Sequence, residues 1–349
     1  MAALWRVVRS KWSLPFDEKT SFAGKTVLIT GTTIGGLGFE AAQKIAALNP
    51  TKLVITARSE KKGQAAKEQI ERYLQSNGGS GKPASPQIEI YILDMDDFSS
   101  VKAFAEKVDA NIPKLDAVIL NAGLTNRAWS KTREGWEQIL QVNTISTTLL
   151  AILLLPKLLS TGDFENPAHL NFVSSGTARL IKPDDVRKFY DSPNALEAMS
   201  VEKGWPGTRP QYALSKLLVE YAMRQIAMLP SVMSTSGEVK VIVNSTCPGI
   251  CKTDLARQYT RKSLFYRIAI WFVFLLIGRS AEAGSRQYVS AITRGRESQG
   301  KLWKDDTYFD GGKMVESAEG KKFGEKMWKE LVEVMETIEP KVRSILAAS

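Results

Sequence analysis

The stretch "VLITGTTIGGLGFEAA", residues 27–42, decides the fold. Its first part is an apolar run of strand length ending at Thr30, and a pattern of helical period begins near Leu37. Between them lie Gly31, Gly35, Gly36 and Gly38. A glycine-rich turn lets the backbone approach a pyrophosphate. The N-terminus of the helix behind it offers free N–H groups and the positive end of the helix dipole. Set between a strand and a helix, Gly31, Gly35, Gly36, Leu37 and Gly38 read as a dinucleotide-binding loop.

Working outward, apolar runs rich in Val and Ile recur at residues 25–30, 52–57, 88–94, 115–123, 168–175 and 240–249. Such runs suit strands buried on both faces. Segments of helical period lie between them, such as "GFEAAQKIAAL" and "SSVKAFAEKVDANI". Repeated βα units predict an α/β fold: a Rossmann-type, doubly wound parallel sheet with helices on both faces. Right-handed crossovers then place ligands at the carboxyl ends of the strands. The Gly/Pro/Ser-rich residues 76–87 read as a surface loop, not a boundary. One domain is expected over 25–349, after an N-terminal extension of residues 1–24. The closing helical segment, residues 320–346, is expected on the outside of the fold.

Composition narrows the function. Of 349 residues, 44% are hydrophobic and 24% charged, ordinary for a soluble globular protein. Two cysteines, Cys247 and Cys251, make no disulfide framework, and a reducing compartment is expected. The single histidine, His169, leaves little room for His-based catalysis, and no Cys/His cluster has zinc spacing, so no metal is expected. The net charge of +10 comes from scattered basic residues, which argues against nucleic acid. It fits a phosphorylated cofactor or an anionic membrane surface. The N-terminal residues 1–16 have no apolar core of signal-peptide length. A second apolar stretch, 264–278, is interrupted by Arg267 and short for a membrane span. It reads as a core helix, a cap over a substrate pocket or an interfacial anchor. A cytoplasmic location is expected, with peripheral contact to an intracellular membrane as the alternative.

The end of the second run speaks to cofactor choice. A carboxylate there would bind the adenosine ribose hydroxyls and repel a 2′-phosphate. This sequence has "VITARSEKK", with no acid at that point; Arg58 follows the run, with Lys61 and Lys62 behind it. A guanidinium grips a phosphate bidentately, so NADP(H) is expected over NAD(H). Further on, Tyr212 and Lys216 are four apart and share a face if helical. A neighbouring ammonium brings a tyrosine hydroxyl toward useful acidity.

Read in order, "TGTTIGGLG", "LNAG" (residues 120–123), "VN" (142–143), "VSS" (173–175), "YALSK" (212–216) and "CPGICKT" (247–253) resemble the short-chain dehydrogenase/reductase family. "SFAGKTVLITG", "GLGFEAA" and "YALSKLL" most resemble its fungal secondary-metabolite reductases and retinol-dehydrogenase-like relatives. The resemblance implies that Tyr212 is the general acid in carbonyl reduction. Lys216 would lower its pKa and hold the nicotinamide ribose. Ser175 would hydrogen-bond the substrate oxygen, with Ser174 in reserve, and Asn143 would anchor a water-linked relay to Lys216. It implies adenine contact for Asp94, a propping role for Asn121, and a nicotinamide border of Pro248, Gly249 and Thr253. Dimers and tetramers are common in the family, so a homo-oligomer is a further expectation.

Two departures stand out. The family loop reads T-G-x-x-x-G-x-G; here one further residue separates Gly31 from Gly36. Keeping "GLGFEAA" in register puts that residue in the turn, where Gly35 and Gly36 can absorb it. Tyr212 also follows Ser175 by 37 positions, far more than in the plainest members. Residues 176–211 are thus an insertion, expected to wall the substrate pocket with Phe189, Tyr190, Met199 and Trp205. Residues 254–285 form an expected apolar substrate cap. The resulting expectation is an NADP(H)-dependent oxidoreductase, a ketoreductase of specialised metabolism. It would interconvert a carbonyl and an alcohol on a lipophilic small molecule. The alternatives are a membrane-associated lipid or retinoid-type dehydrogenase and a catalytically silent, cofactor-binding scaffold.

Overall fold

A computed structural model describes residues 20–76, 85–252 and 278–348 of the chain. Most of the N-terminal extension, the apolar stretch 264–277 and Thr253 lie outside the described residues. Chain order runs β1 (Thr26–Ile29), α1 (Leu37–Ala47), β2 (Lys52–Ala57), α2 (Glu60–Ser76), β3 (Gln87–Ile92), α3 (Phe98–Asn111) and β4 (Ala117–Leu120). Next come α4 (Gln138–Thr161), β5 (Ala168–Val173), α5 (Pro183–Tyr190), α6 (Ala195–Ser200), α7 (Thr208–Ala227) and β6 (Val241–Thr246). The rest is α8 (Ala281–Ala291), β7 (Leu302–Lys304), β8 (Thr307–Phe309), α9 (Lys313–Glu316), α10 (Ala318–Ile338) and α11 (Lys341–Ala347).

The strands form one sheet in the order β3-β2-β1-β4-β5-β6-β7-β8. It is parallel through β7, and β8 closes the edge antiparallel. Alternation along β1 shows why its run is apolar throughout. Val27 and Ile29 face a cluster with Phe39, Ile45, Leu53, Ile55 and Tyr288. Leu28 faces the opposite cluster, with Val54, Val118, Leu149, Phe172 and Leu217. Strand order reverses between β1 and β4, so the loops leaving these strands part at the switch point where such sheets bind ligands.

Helix α4 is the one described helix long and apolar enough to cross a membrane, but 89% of its most apolar window is buried inside the fold. Its apolar character serves the core: Leu149, Leu150, Ile152, Leu154 and Leu155 pack among the side chains beneath the sheet.

The structure corrects several expectations. Phe22, assigned to the extension, is buried, and its N–H donates to Leu48 O at 2.8 Å, so the folded domain begins before Lys25. Residues 281–285, assigned to the cap, open α8, whose Ala283, Tyr288 and Val289 are buried. Helix α10 lies on the outside of the fold with one face turned in: Phe323, Met327, Leu331 and Met335, spaced one turn apart, are fully buried, while Lys321, Lys322, Glu325 and Lys329 are exposed. Burying each contributes about 1.5–3 kcal/mol. Three of the four side chains expected to wall a pocket, Phe189, Tyr190 and Met199, face the same core. Phe189 and Met199 are buried in it, and the Tyr190 ring lies 4.9 Å from that of Phe323. The insertion is thus anchored by α10, because its bulky residues find their apolar partners there.

Candidate active site

The glycine loop is held by the strands on either side. Gly31 N–H donates to Thr56 Oγ1 at 2.9 Å, and Thr32 N–H donates to Thr56 O at 3.1 Å. Gly36 N–H closes a turn onto Thr33 O at 2.9 Å, and Gly35, at φ 77°, takes the left-handed position in that turn. Helix α1 then starts at Leu37, with Gly36 as a cap that offers no side-chain acceptor. The first-turn amides are therefore left without a side-chain cap, as phosphate binding requires.

Gly31 and Gly38 are required by close packing. A Cβ on Gly31 would stand 2.9 Å from Ala122 Cα, and one on Gly38 2.4 Å from Asn121 Nδ2 and 2.7 Å from Gly31 O. Asn121 ties the arrangement together: its Nδ2 donates to Thr30 O at 2.8 Å and Gly31 O at 3.0 Å. Thr30 Oγ1 accepts in return from the N–H groups of Asn121 and Ala122, both at 2.9 Å. The loops after β1 and β4 are thereby locked together. These residues fit a dinucleotide: bare glycines against the backbone, an open helix start, and no acid at the end of β2. Arg58 is exposed directly after β2 and has no ion-pair partner among the described residues. Asp94 lies two residues beyond β3, its Oδ1 accepting from Asp96 N–H at 3.1 Å.

The chemical residues gather at the same edge. Helix α7 carries Tyr212, half-buried, and Lys216, buried, with Lys216 Nζ 5.8 Å from the Tyr212 ring centroid. Lys216 Nζ donates to Val173 O at 2.8 Å, which fixes it at the end of β5, two residues from Ser175. Burial lowers the Lys216 pKa to about 8, against the opposing pull of Glu220 and Cys247. Of the two serines, Ser174 is buried, while Ser175 is half-buried and heads a 3-10 turn. Ser175 Oγ accepts from Thr177 Oγ1 at 2.9 Å. Pro248 and Gly249 follow β6, Gly249 with φ 81° and its Cα facing the Arg279 guanidinium.

Asn143 sits in a π-helical turn, Gln141–Ile145, inside α4; such turns recur at functional sites. Its Oδ1 accepts from Leu124 N–H at 2.9 Å, and its Nδ2 donates to Leu124 O at 3.0 Å and Ser215 Oγ at 3.1 Å. Gly123 lies between the two groups. A Cβ there would stand 3.1 Å from Asn143 Oδ1 and 3.7 Å from Lys216 Nζ.

Sequence reasoning missed the supporting residues. Ser215 joins Asn143 to α7, donating to Tyr212 O at 2.8 Å. Glu137, fully buried, accepts from Leu140 N–H and Gln211 Nε2, both at 2.9 Å, and donates its own N–H to Ser200 Oγ. Gln211 immediately precedes Tyr212 and also reaches Met199 O at 3.2 Å. Burial holds the Glu137 pKa above the usual carboxylate range, against the pull of its donors. This knot ties the insertion, the start of the Asn143 helix and the start of the Tyr212 helix into one unit. The one advance signal in this knot was Gln211, directly before the Tyr212 motif; Glu137 adjoins no motif.

The comparisons bear on this geometry. A family model described as short chain dehydrogenase matches residues 25–179. The chain is 40% identical over 336 residues to the short-chain dehydrogenase/reductase ffsI of Aspergillus flavipes, covering 96% of this chain and 93% of that protein. It is 39% identical to the short-chain dehydrogenase/reductase phmF of Phaeosphaeria nodorum, covering 95% and 92%. Among solved structures, L-sorbose reductase from Gluconobacter frateurii, complexed with NADPH and L-sorbose, matches with a TM-score of 0.60 at 17% identity, over 86% of this chain and all (100%) of that one. That likeness is one of fold.

Proposed function

The chain belongs to the short-chain dehydrogenase/reductase family, and we propose that it is an NADP(H)-dependent oxidoreductase interconverting a carbonyl and an alcohol on a lipophilic small molecule. The observation that carries this reading is the Lys216 Nζ to Val173 O bond. It fixes a buried ammonium beside the Tyr212 ring at the strand end that leads to Ser175. The bound nicotinamide supplies the hydride chemistry. In reduction, Tyr212 Oη gives its proton to the oxygen that gains negative charge. The Lys216 ammonium favours the phenolate left behind. Ser175 Oγ turns its hydrogen toward the same oxygen, an electrostatic role. Asn143, held by Leu124 and Ser215, positions the proton path behind Lys216.

The missing acid after β2 and the exposed Arg58 favour NADP(H), and NADP(H) favours reduction as the physiological direction. The apolar stretch 264–277 in the sequence favours a lipophilic substrate, and the resemblance favours specialised metabolism. Arg58→Asp should lower the ratio of NADPH to NADH affinity at least tenfold, about 1.4 kcal/mol, by replacing a charge-assisted contact with repulsion. Fluorescence titration of both cofactors measures it; an unchanged ratio refutes the assignment. A panel of lipophilic ketones and aldehydes, followed by NADPH consumption and alcohol formation, tests the reaction. Cofactor binding without turnover on any of them would favour a silent scaffold.

A further inference from the structure

We propose that Glu220 is a positioning residue of the active site: its buried carboxylate is the counter-charge that holds the Lys216 ammonium beside Tyr212. The proposal rests on the reading above, in which Lys216 works as a cation. Its own observations lie behind the catalytic pair. Glu220 follows Lys216 by one helical turn on α7, so the two share a face, and it is 1% exposed. Ser245 Oγ, from β6, donates to Glu220 Oε2 at 3.1 Å. The Ser174 hydroxyl lies beside the same carboxyl and favours its charged form. Yet neither Ser174 Oγ nor Glu220 Oε1 closes a direct hydrogen bond. A carboxyl enclosed this thoroughly, with a hydroxyl on each side, is not a solvated helix residue.

Lys216 needs such a partner. It is 5% exposed, and the hydrogen bond holding its ammonium at the end of β5 goes to the neutral Val173 carbonyl. A buried cation with a neutral acceptor alone is costly, and it escapes by losing its proton. The other groups around the pair do not supply the missing charge. Cys247, past the end of β6, is pushed up by burial and stays a thiol. Tyr288, on α8, is raised far by burial and stays a phenol. On α7, Tyr212 is the working acid, and Arg224 is a second cation, paired with Glu316 at 3.4 Å. Burial raises Glu220 itself, while Ser174, Ser245, Arg224 and Lys216 pull it back toward the charged form. Glu220 in turn raises Lys216, against a burial effect that leaves it at about 8.

Removing a negative neighbour lowers the pKa of a cation. Glu220→Gln keeps the size of the side chain and an oxygen to accept from Ser245, and deletes only the charge. The full-length protein would be labelled with 15N-lysine, and the Lys216 Nζ signal assigned by its loss in Lys216→Arg. In Glu220→Gln the titration midpoint of that signal should fall by about one pH unit or more, a tenfold loss of proton affinity. In Glu220→Asp it should fall less. An unchanged midpoint in folded Glu220→Gln overturns the proposal, since a merely structural role would not need the charge. Ser245→Ala covers the case in which the Gln variant does not fold. It removes one hydroxyl that favours ionised Glu220, so the midpoint should again fall, and no movement again overturns the proposal. The signal reads Lys216 directly, so an absence of NADPH-linked turnover would remove the proposed function without touching this result. With a working substrate, the alkaline limb of kcat/KM should move down with the midpoint.

Discussion

Tyr212→Phe should lower kcat for carbonyl reduction by about 10²–10⁴-fold, the usual worth of a positioned general acid. The substitution removes one oxygen. The ring, its place on α7 and the Lys216 ammonium 5.8 Å from its centroid all remain. Tyr212 is half-buried, not part of the close-packed core, so the fold should survive intact. NADPH affinity should therefore stay near that of the wild type while turnover collapses. Steady-state kinetics beside a fluorescence titration separates the two effects. Turnover near the wild-type rate would move the proton donor elsewhere; a parallel loss of binding would make Tyr212 a cofactor ligand first.

Gly38→Ala should damage cofactor binding more than its single methyl group implies. The new Cβ would stand 2.4 Å from Asn121 Nδ2 and 2.7 Å from Gly31 O. Asn121 could swing aside only by giving up its bonds to Thr30 O and Gly31 O, which lock the loops after β1 and β4 together. The Gly31 carbonyl belongs to the backbone of the binding loop and can move only with that loop. Overpacking of this kind costs about 1–3 kcal/mol. The expected result is a lower Tm together with NADPH binding weakened tenfold or more, an estimate on the order of 1.4 kcal/mol. Gly35→Ala, where the Cβ meets open space but φ is 77°, should cost less because only the turn is strained. Equal behaviour of the two variants would contradict the packing role assigned to Gly38.

The parallel sheet was legible because β1, β2 and β4 are apolar on both faces and the strands are separated by segments of clear helical period. The start of α1 at Leu37 was legible from the glycines before it. Strands β7 and β8 were not. Each has three residues, and β7 exists through pairing of Leu302 and Trp303 with Ser245 and Thr246, contacts that no local period records. The outer position of α10 was legible, because Phe323, Met327, Leu331 and Met335 alternate with exposed Lys and Glu; what its inward face packs against was not. The packing of the insertion was hidden for a related reason: Phe189 and Met199 read as pocket residues, but apolar side chains pack wherever partners lie, and these two join the core that α10 covers. Within the site, motif residues were legible and their supports were not. Glu137, Gln211, Ser215 and Glu220 are polar residues whose spacing signals no role, and tertiary packing buries all four.

The most direct test of the central claim is a fluorescence titration of the wild-type protein with NADPH and NADH side by side. The account predicts that the loop built on Gly31, Gly35, Gly36 and Gly38 binds NADPH, and binds it at least tenfold more tightly than NADH because no acid follows β2 and Arg58 does. Binding of neither cofactor, or NADH bound as tightly as NADPH, would contradict it.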